Sequence, residues 1–347
     1  MARLLFVKSR RASFIELDER LLAERHDVHE IYQPGHYPQP GKLLREVVWA
    51  DVIVGWWASW HTFAPFTLAW LMRKPSLLII GGFDTAAEPE LGYGYQLGGI
   101  RAVMSRFTMR RAGALMTNSE YSRREIERNI GFPRERVRLL YHGVADADPA
   151  GGPLTGRVGS NLHPNLPHLG LDPERPLVLT VGIVDRINLD RKGLRVFAEA
   201  AKLVPEAQFV IAGKIAGGAG GELEAIGAPN LALAGWVTDE ELASLYGAAR
   251  VYVQASRHEG FGVAVAEAML ARCVPVVTAA GALPEVVGDT GVVLEDGSAQ
   301  SVAAGIRQAL AAPTAGDARA RVLERFSVQQ RRDGLLALVE ELVGPAS

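Results

Sequence analysis

Twelve short apolar runs, each followed by a longer stretch of helical period or a turn, recur between Leu4 and Leu294. Runs this short, several of them wholly apolar, suit strands covered on both faces, and strands alternating with helices build parallel sheets. In the first half the runs predict strands near Leu4–Val7, Val28–Tyr32, Val52–Gly55, Leu77–Ile80, Ala114–Thr117 and Val137–Leu140. Helices are expected between them, among them Phe14–Arg25, Thr62–Arg73 and Glu120–Asn129, the last capped by Asn118-Ser119. In the second half the runs are Leu177–Val181, Gln208–Ala212, Leu231–Ala234, Val251–Ala255, Pro275–Thr278 and Val292–Leu294. Two helical segments follow, Ala299–Ala311 and Val328–Val343.

Residues 146–176 break this rhythm with clustered Pro and Gly and no apolar period. The chain of 347 residues is therefore expected to form two domains. Their expected bounds are 1–150 and 177–327, with a linker over 151–176. The helix within 328–347 is expected to pack back on the first domain. In two such sheets ligands belong at the carboxyl ends of the strands, so a cleft between the sheets is the expected site.

Charge narrows the partners. Net charge is −2, yet ten Arg face four Glu between Arg101 and Arg138. A patch this local does not make a nucleic-acid protein, but it leaves contact with an anionic membrane surface open. The stretch Ile100–Arg111 would place Ile100, Val103, Met104 and Phe107 on one helical face; a core-packed helix with a solvated basic face is the plainer alternative. The single cysteine, Cys273, excludes an internal disulfide and fits a reducing, cytoplasmic setting. The apolar run at Leu4 is too short for a secretory segment, and no run approaches the roughly 18 apolar residues of a membrane span.

Chemistry concentrates in residues 251–277. A buried strand leads into a polar loop, then a helix from about Val263, then a second buried strand. Glu259-Gly260-Phe261-Gly262 sits where loop becomes helix, so the backbone can approach a ligand and the amides from Phe261 to Val263 can hold a diphosphate. Glu267 lies farther along that helix, where a carboxylate can accept hydrogen bonds from the vicinal hydroxyls of a ribose. Glu259 would face the group at the far end of the diphosphate.

Glu-Gly-Phe-Gly-x4-Glu-Ala resembles the hallmark of retaining glycosyltransferases of family 4, whose fold, GT-B, consists of two facing Rossmann-like domains. Gly235-Trp-Val-Thr-Asp-Glu-Glu-Leu242, Pro275-Val-Val-Thr278 and Gly281-Ala-Leu-Pro-Glu-Val-Val-Gly288 resemble it too, so the likeness covers about residues 177–295. Asn118-Ser-Glu-Tyr-Ser122 and His142-Gly-Val144 extend it more loosely into the first half. The resemblance implies an α/β fold of GT-B type, with parallel sheets facing a central cleft, and a nucleotide-diphosphate-sugar donor. It also implies retention of configuration, without metal or cofactor.

By the same resemblance, Glu259, Lys192 and Arg186 form the catalytic set. Gly182, Gly260, Phe261, Gly262, Val263 and Glu267 bind the donor. The family's Arg directly follows the strand-ending glycine, whereas here Ile183 follows Gly182; Arg186 after a short insertion, or Arg191, fills the role. On the acceptor side, relatives carry a histidine near the position of Gly81. Its absence leaves Gly81, Gly82 and Asp84 as candidates, and the acceptor is a carbohydrate, a lipid-linked sugar or a small molecule. His61 and the cluster Trp56-Trp57-Ala-Ser-Trp60 end a strand in the same half, where stacking on sugar and core packing are both open. His142 and Cys273 read as structural.

Other chemistries lack their motifs. No Gly-x-Gly-x-x-Gly follows the first strand, no Walker-type loop precedes Lys214, and no His/Cys set has metal-ligand spacing. Asp146-Ala-Asp148 looks like the metal pair of another glycosyltransferase fold but falls in the Pro/Gly stretch. A nucleotide-sugar epimerase or hydrolase, or a non-catalytic nucleotide-sugar-binding subunit, remain the alternatives.

Overall fold

A computed structural model describes residues 1–35, 39–146, 163–312 and 316–344. They form two compact units, Met1–Gly143 with Phe326–Ser347, and Val144–Arg325. The chain thus changes unit at 143 and 326, where the sequence reading sets 150 and 328. Residues 151–162 of the expected linker, and Asp148, lie outside the described residues. Residues 163–176 are not a free linker, because Leu166 and Leu169 bury their side chains in unit 2 and the Gln208 side chain binds the backbone at Asp172. Asp146 pairs with Arg319 of the same unit.

Unit 1 holds β1 (Arg3–Lys8), β2 (Asp27–Tyr32), β3 (Val52–Trp56), β4 (Ser76–Ile80), β5 (Ala114–Thr117) and β6 (Val137–Leu139). All pair in parallel, in the order β2-β1-β3-β4-β5-β6. Its helices are α1 (Ser13–Ala23), α2 (Pro40–Trp49), α3 (Trp60–Leu71), α4 (Gly99–Arg111) and α5 (Glu120–Ile130). Because strand side chains alternate between faces, the sheet carries two separate apolar layers. Leu5, Val7, Ile53, Leu78 and Ile80 meet residues of α2 to α5, whereas Leu4, Phe6, Val54, Leu77 and Ile79 meet α1 and the last helix. Each such side chain contributes about 1.5–3 kcal/mol by leaving water.

Unit 2 repeats the plan with β7 (Leu177–Val181), β8 (Gln208–Ala212), β9 (Leu231–Gly235), β10 (Ala249–Gln254), β11 (Val274–Thr278) and β12 (Val292–Leu294). These too are parallel, in the order β12-β11-β10-β7-β8-β9. Its helices are α6 (Arg186–Arg191), α7 (Leu194–Leu203), α8 (Ala219–Glu224), α9 (Asp239–Ala248), α10 (Val263–Leu270), α11 (Leu283–Val287), α12 (Ala299–Ala311) and α13 (Gly316–Arg325).

The chain then returns to unit 1 as α14 (Val328–Val343), which packs on α1 and β3. A buried ion pair holds it there. Arg331 donates to both oxygens of Asp18 at 2.8 and 2.6 Å, and to the carbonyls of Leu140 and Tyr141. Trp56 Nε1 donates to the same carboxylate at 3.1 Å.

Candidate active site in unit 2

The strand order of unit 2 reverses between β7 and β10, the point at which open α/β sheets bind their ligands beyond the carboxyl ends of the strands. The candidate residues occupy these two loops. Gly182 directly follows β7, and the chain then turns into α6, started by Asp185, whose side chain accepts from the Asn188 amide at 2.8 Å. Lys192 ends α6. Gly193 follows with φ +67°, and a Cβ there would stand 2.1 Å from the Ala255 carbonyl, so only glycine lets the two loops touch.

That contact brings Lys192 to Glu259. Lys192 Nζ lies 3.2 Å from Glu259 Oε2, with the side chains only 18% and 16% exposed. Arg191 lies in the same cluster: it donates to the His258 carbonyl at 3.3 Å and to Asn188 Oδ1, and its own carbonyl accepts the Arg257 amide. Burial pushes the Glu259 carboxyl up, but the charges of Lys192 and Arg191 outweigh it and hold the group below the usual carboxylate range. Arg186 is not brought into this cluster. It opens α6 with its side chain 82% exposed, 3.9 Å from Glu222.

Behind Glu259 runs a buried polar chain. Tyr252 Oη donates to Gln254 Oε1 at 2.9 Å, Gln254 Nε2 donates to Ser256 Oγ at 2.7 Å, and Ser256 Oγ reaches Glu259 Oε2 at 3.5 Å. Every donor points toward the anion, the direction in which such bonds reinforce one another. Tyr252, Gln254 and Ser256 are all buried. Sequence reasoning missed them, although a signal was present: Val251-Tyr-Val-Gln-Ala-Ser256 alternates apolar and polar along a strand that has no solvent face.

α10 starts at Val263. Gly262 precedes it at φ +101° and no side chain caps it, so the helix start keeps the features that favour an anion. Gly260 and Val263 are half-buried, and Phe261 is buried. Glu267, on the same helix, accepts a hydrogen bond from Tyr246 Oη at 3.0 Å. Burial pushes its carboxyl up to about 7, although the Tyr246 bond pulls the other way. Tyr246, on α9, was not foreseen, since only the fold brings it to Glu267. Cys273 is buried, and burial pushes its thiol up to about 12, an inert small hydrophobe.

In unit 1, Gly81, Gly82 and Asp84 follow β4. Asp84 is fully buried, accepting the Ala58 amide at 2.8 Å and the Gly81 amide at 3.1 Å, and so ties the loops after β3 and β4 together. Burial pushes its carboxyl up to about 7 despite those bonds. His61 is buried between Ser59 Oγ and the Trp56 carbonyl, each 2.7 Å away, and burial lowers it to about 4. His142 is buried and stacks on Trp56. Trp56 itself is core, whereas Trp57 is half-buried and held at φ +63°, with its Nε1 donating to the Gly81 carbonyl at 3.1 Å. A left-handed conformation at a bulky residue stores strain of about 1–3 kcal/mol, which marks these loops as over-determined by their surroundings.

With this geometry in place, residues 175–312 match the family model described as Glycosyl transferases group 1. The matched segment lies wholly within unit 2. A 76-residue stretch is 43% identical to the O-antigen chain mannosyltransferase B of Escherichia coli, covering 22% of this chain and 20% of that protein. Over 330 residues the chain is 26% identical to the D-inositol 3-phosphate glycosyltransferase of Mycolicibacterium vanbaalenii, covering 88% of this chain and 67% of the relative. In structure it is similar to Anabaena HepE in complex with UDP-glucose, with a TM-score of 0.76 at 18% identity over 99% of this chain and 100% of that one. The chain therefore has the two-sheet α/β fold seen in GT-B structures; the alternation of runs predicts its parallel sheets and the resemblance implies GT-B. The matched segment contains Gly182, Lys192, Glu259 and Glu267.

Proposed function

We propose that this protein is a glycosyltransferase that moves a sugar from a nucleotide-diphosphate donor to an acceptor hydroxyl, with retention of configuration and without a metal or cofactor. The observation that carries the reading is the Lys192–Glu259 pair, set between the loops of β7 and β10 and beside the start of α10. Lys192, Arg191 and the α10 amides hold the diphosphate, and Glu267 accepts from the ribose hydroxyls. As the bond from the anomeric carbon to the β-phosphate oxygen breaks, its electron pair stays on that oxygen, where preorganised cations stabilise it. Glu259 stabilises the positive charge growing on the sugar. The acceptor oxygen attacks on the departing face and its proton passes to the leaving phosphate, which accounts for retention without an enzymic nucleophile. Asp84 shapes the acceptor-side loops, and Trp57, Gly81 and Gly82 line them.

The donor class is supported by the nucleotide sugar in the HepE complex, and the chemistry by the glycosyltransferase names of the relatives. The test is a thermal-shift panel of nucleoside diphosphates and their sugars, then turnover of the stabilising donor with excess chelator present. Proton NMR of the product reads the anomeric configuration. Retained transfer with an unchanged anomer supports the reading. Loss of activity restored by Mg²⁺ or Mn²⁺ overturns metal independence; inversion overturns the mechanism. Free sugar, a second nucleotide sugar, or binding without turnover would instead mark a hydrolase, an epimerase or a binding subunit.

A further inference from the structure

The two faces of the unit 1 sheet differ in a way the donor chemistry does not require. One is covered by α2 to α5, with α3 packed against both α2 and α4. Over α2, α3, α4 and the Arg73-Lys74 that follow α3, the sequence places eight Lys and Arg against one acid, Glu46, and α5 adds three Arg and three Glu. α1 and α14, on the other face, carry six Asp and Glu against three Arg. The chain as a whole is at −2, so the positive charge is gathered on one side.

Exposed apolar side chains gather there as well. Ile100 is 71% exposed, Val103 63%, Leu71 63% and Trp70 42%, and Leu44, Val48 and Met72 are exposed too. On α1 and α14 the only large apolar side chain so exposed is Val343, at the far end of α14. The face of α4 that carries Ile100 and Val103 is therefore not packed into the core. The Arg111 guanidinium lies 4.1 Å from the centre of the Trp70 ring, beside a groove of about 640 Å³ that Arg73 also lines. Apolar side chains rimmed by cations, spread over three adjacent helices, complement a surface that is anionic outside and apolar just beneath. Tryptophan with arginine is the pairing that settles at such a boundary.

We infer that the α2–α3–α4 face of unit 1 docks on an anionic phospholipid bilayer, with Trp70, Leu71, Ile100 and Val103 entering the headgroup layer and the arginines meeting lipid phosphates. Binding of this kind is independent of the chemistry of unit 2 and survives if the donor reading fails.

Co-sedimentation of the full chain with vesicles tests it, comparing phosphatidylcholine alone with a mixture containing about one-third phosphatidylglycerol. The protein is expected to bind only the anionic vesicles and to leave them at about 0.5 M NaCl. Each cation near such a surface is worth roughly fivefold in affinity, so the triple change Arg101→Glu, Arg110→Glu and Arg111→Glu should weaken binding at least about a hundredfold. Leu71→Ser with Ile100→Ser and Val103→Ser should weaken it about tenfold or more while thermal unfolding stays native-like, and Arg20→Glu on the opposite face should change nothing. Equal binding to neutral vesicles, no binding at all, or full affinity in the triple arginine variant would overturn the inference. So would a dimer of the wild-type chain that the serine variant dissolves, because the face would then join two copies.

Discussion

Lys192 Nζ and Glu259 Oε2 stand 3.2 Å apart, joining the loop after β7 to the loop after β10 at the point where the strand order of unit 2 reverses. The pair is largely withdrawn from water, so each charge depends on the other, and removing one partner alters the state of the survivor. Lys192 should contact the diphosphate both before and after bond cleavage. Glu259 should matter chiefly while positive charge grows on the sugar. Lys192→Ala is expected to weaken nucleoside diphosphate binding by about ten- to hundredfold and to lower turnover. Glu259→Gln should bind the nucleotide normally or more tightly, since it releases Lys192, while kcat falls by about two orders of magnitude or more. Calorimetry and steady-state kinetics separate the two. If Glu259→Gln lost nucleotide affinity as Lys192→Ala does, the glutamate would be organising the loop, not the reaction.

Glu267 predicts a pH dependence of a definite sign. Burial raises its carboxyl to about 7, so below that pH the free protein carries it protonated. Ribose hydroxyls donate best to the ionised form, and binding must therefore expel the proton. Nucleoside diphosphate affinity should rise with pH through about 7, by up to tenfold per unit on the acid side, and then level off. The nucleotide's own phosphate titrates nearby, so the quantity to compare is the ratio of wild-type to Glu267→Gln affinity from pH 5.5 to 8.5. A flat ratio would remove Glu267 from the ribose.

Much of this was legible in the sequence because burial on both faces writes strands such as Leu4–Val7 and Leu77–Ile80 as uninterrupted apolar runs, whereas edge strand β2 (Val28-His-Glu-Ile-Tyr32) keeps charged and polar residues that face water. Each of the twelve runs coincides with a strand, and α10 begins at the expected Val263. Arg186-Ile-Asn-Leu-Asp-Arg191 was not legible as a helix. It is a single capped turn and a half, too short to show a period, and its helical geometry turns Arg186 outward while leaving Arg191 beside Glu259. Residues 163–176 look like linker because their composition is Pro/Gly-rich, yet two buried leucines and the Gln208 side-chain bonds hold them to unit 2. Tyr246 and Glu267 are 21 residues apart, on different helices, and no local pattern announces their bond.

That turn-and-a-half decides which arginine serves the diphosphate. Arg191→Ala should weaken nucleoside diphosphate binding by about tenfold or more, as loss of a charged hydrogen-bond donor requires. Arg186→Ala should change it less than about twofold, the ordinary yield of an exposed charge. Calorimetry on the two variants gives the answer; the reverse ranking would mean that α6 rearranges when the donor binds.

Arg331 and Asp18 predict where stability resides in unit 1. Arg331→Met leaves the Asp18 carboxylate buried with only Trp56 Nε1 donating to it among the bonds described, and should cost about 3–5 kcal/mol in urea unfolding. Joining it with Asp18→Leu should recover a large part of that loss, because the stranded charge is gone. No recovery in the double variant would mean that the carbonyls of Leu140 and Tyr141, not the ion pair, are what α14 depends on.

Gln254 tests whether the buried polar chain serves the reaction or only the core. Its Oε1 accepts from Tyr252 and its Nε2 donates to Ser256, so it fixes the direction of every bond leading to Glu259. Gln254→Leu keeps the bulk but takes one hydrogen-bond partner from each of two buried hydroxyls, at a cost of about 1–3 kcal/mol in stability. Measured well below the unfolding transition, a purely structural residue would leave kcat per folded molecule intact. A residue that orients Glu259 would lower kcat by tenfold or more with nucleoside diphosphate affinity unchanged, since the diphosphate is held by Lys192 and α10. Tyr252→Phe, which removes only the far end of the chain, should lower kcat by a smaller factor. Full turnover in Gln254→Leu would reduce the chain to core packing and leave Lys192 as the group that positions Glu259.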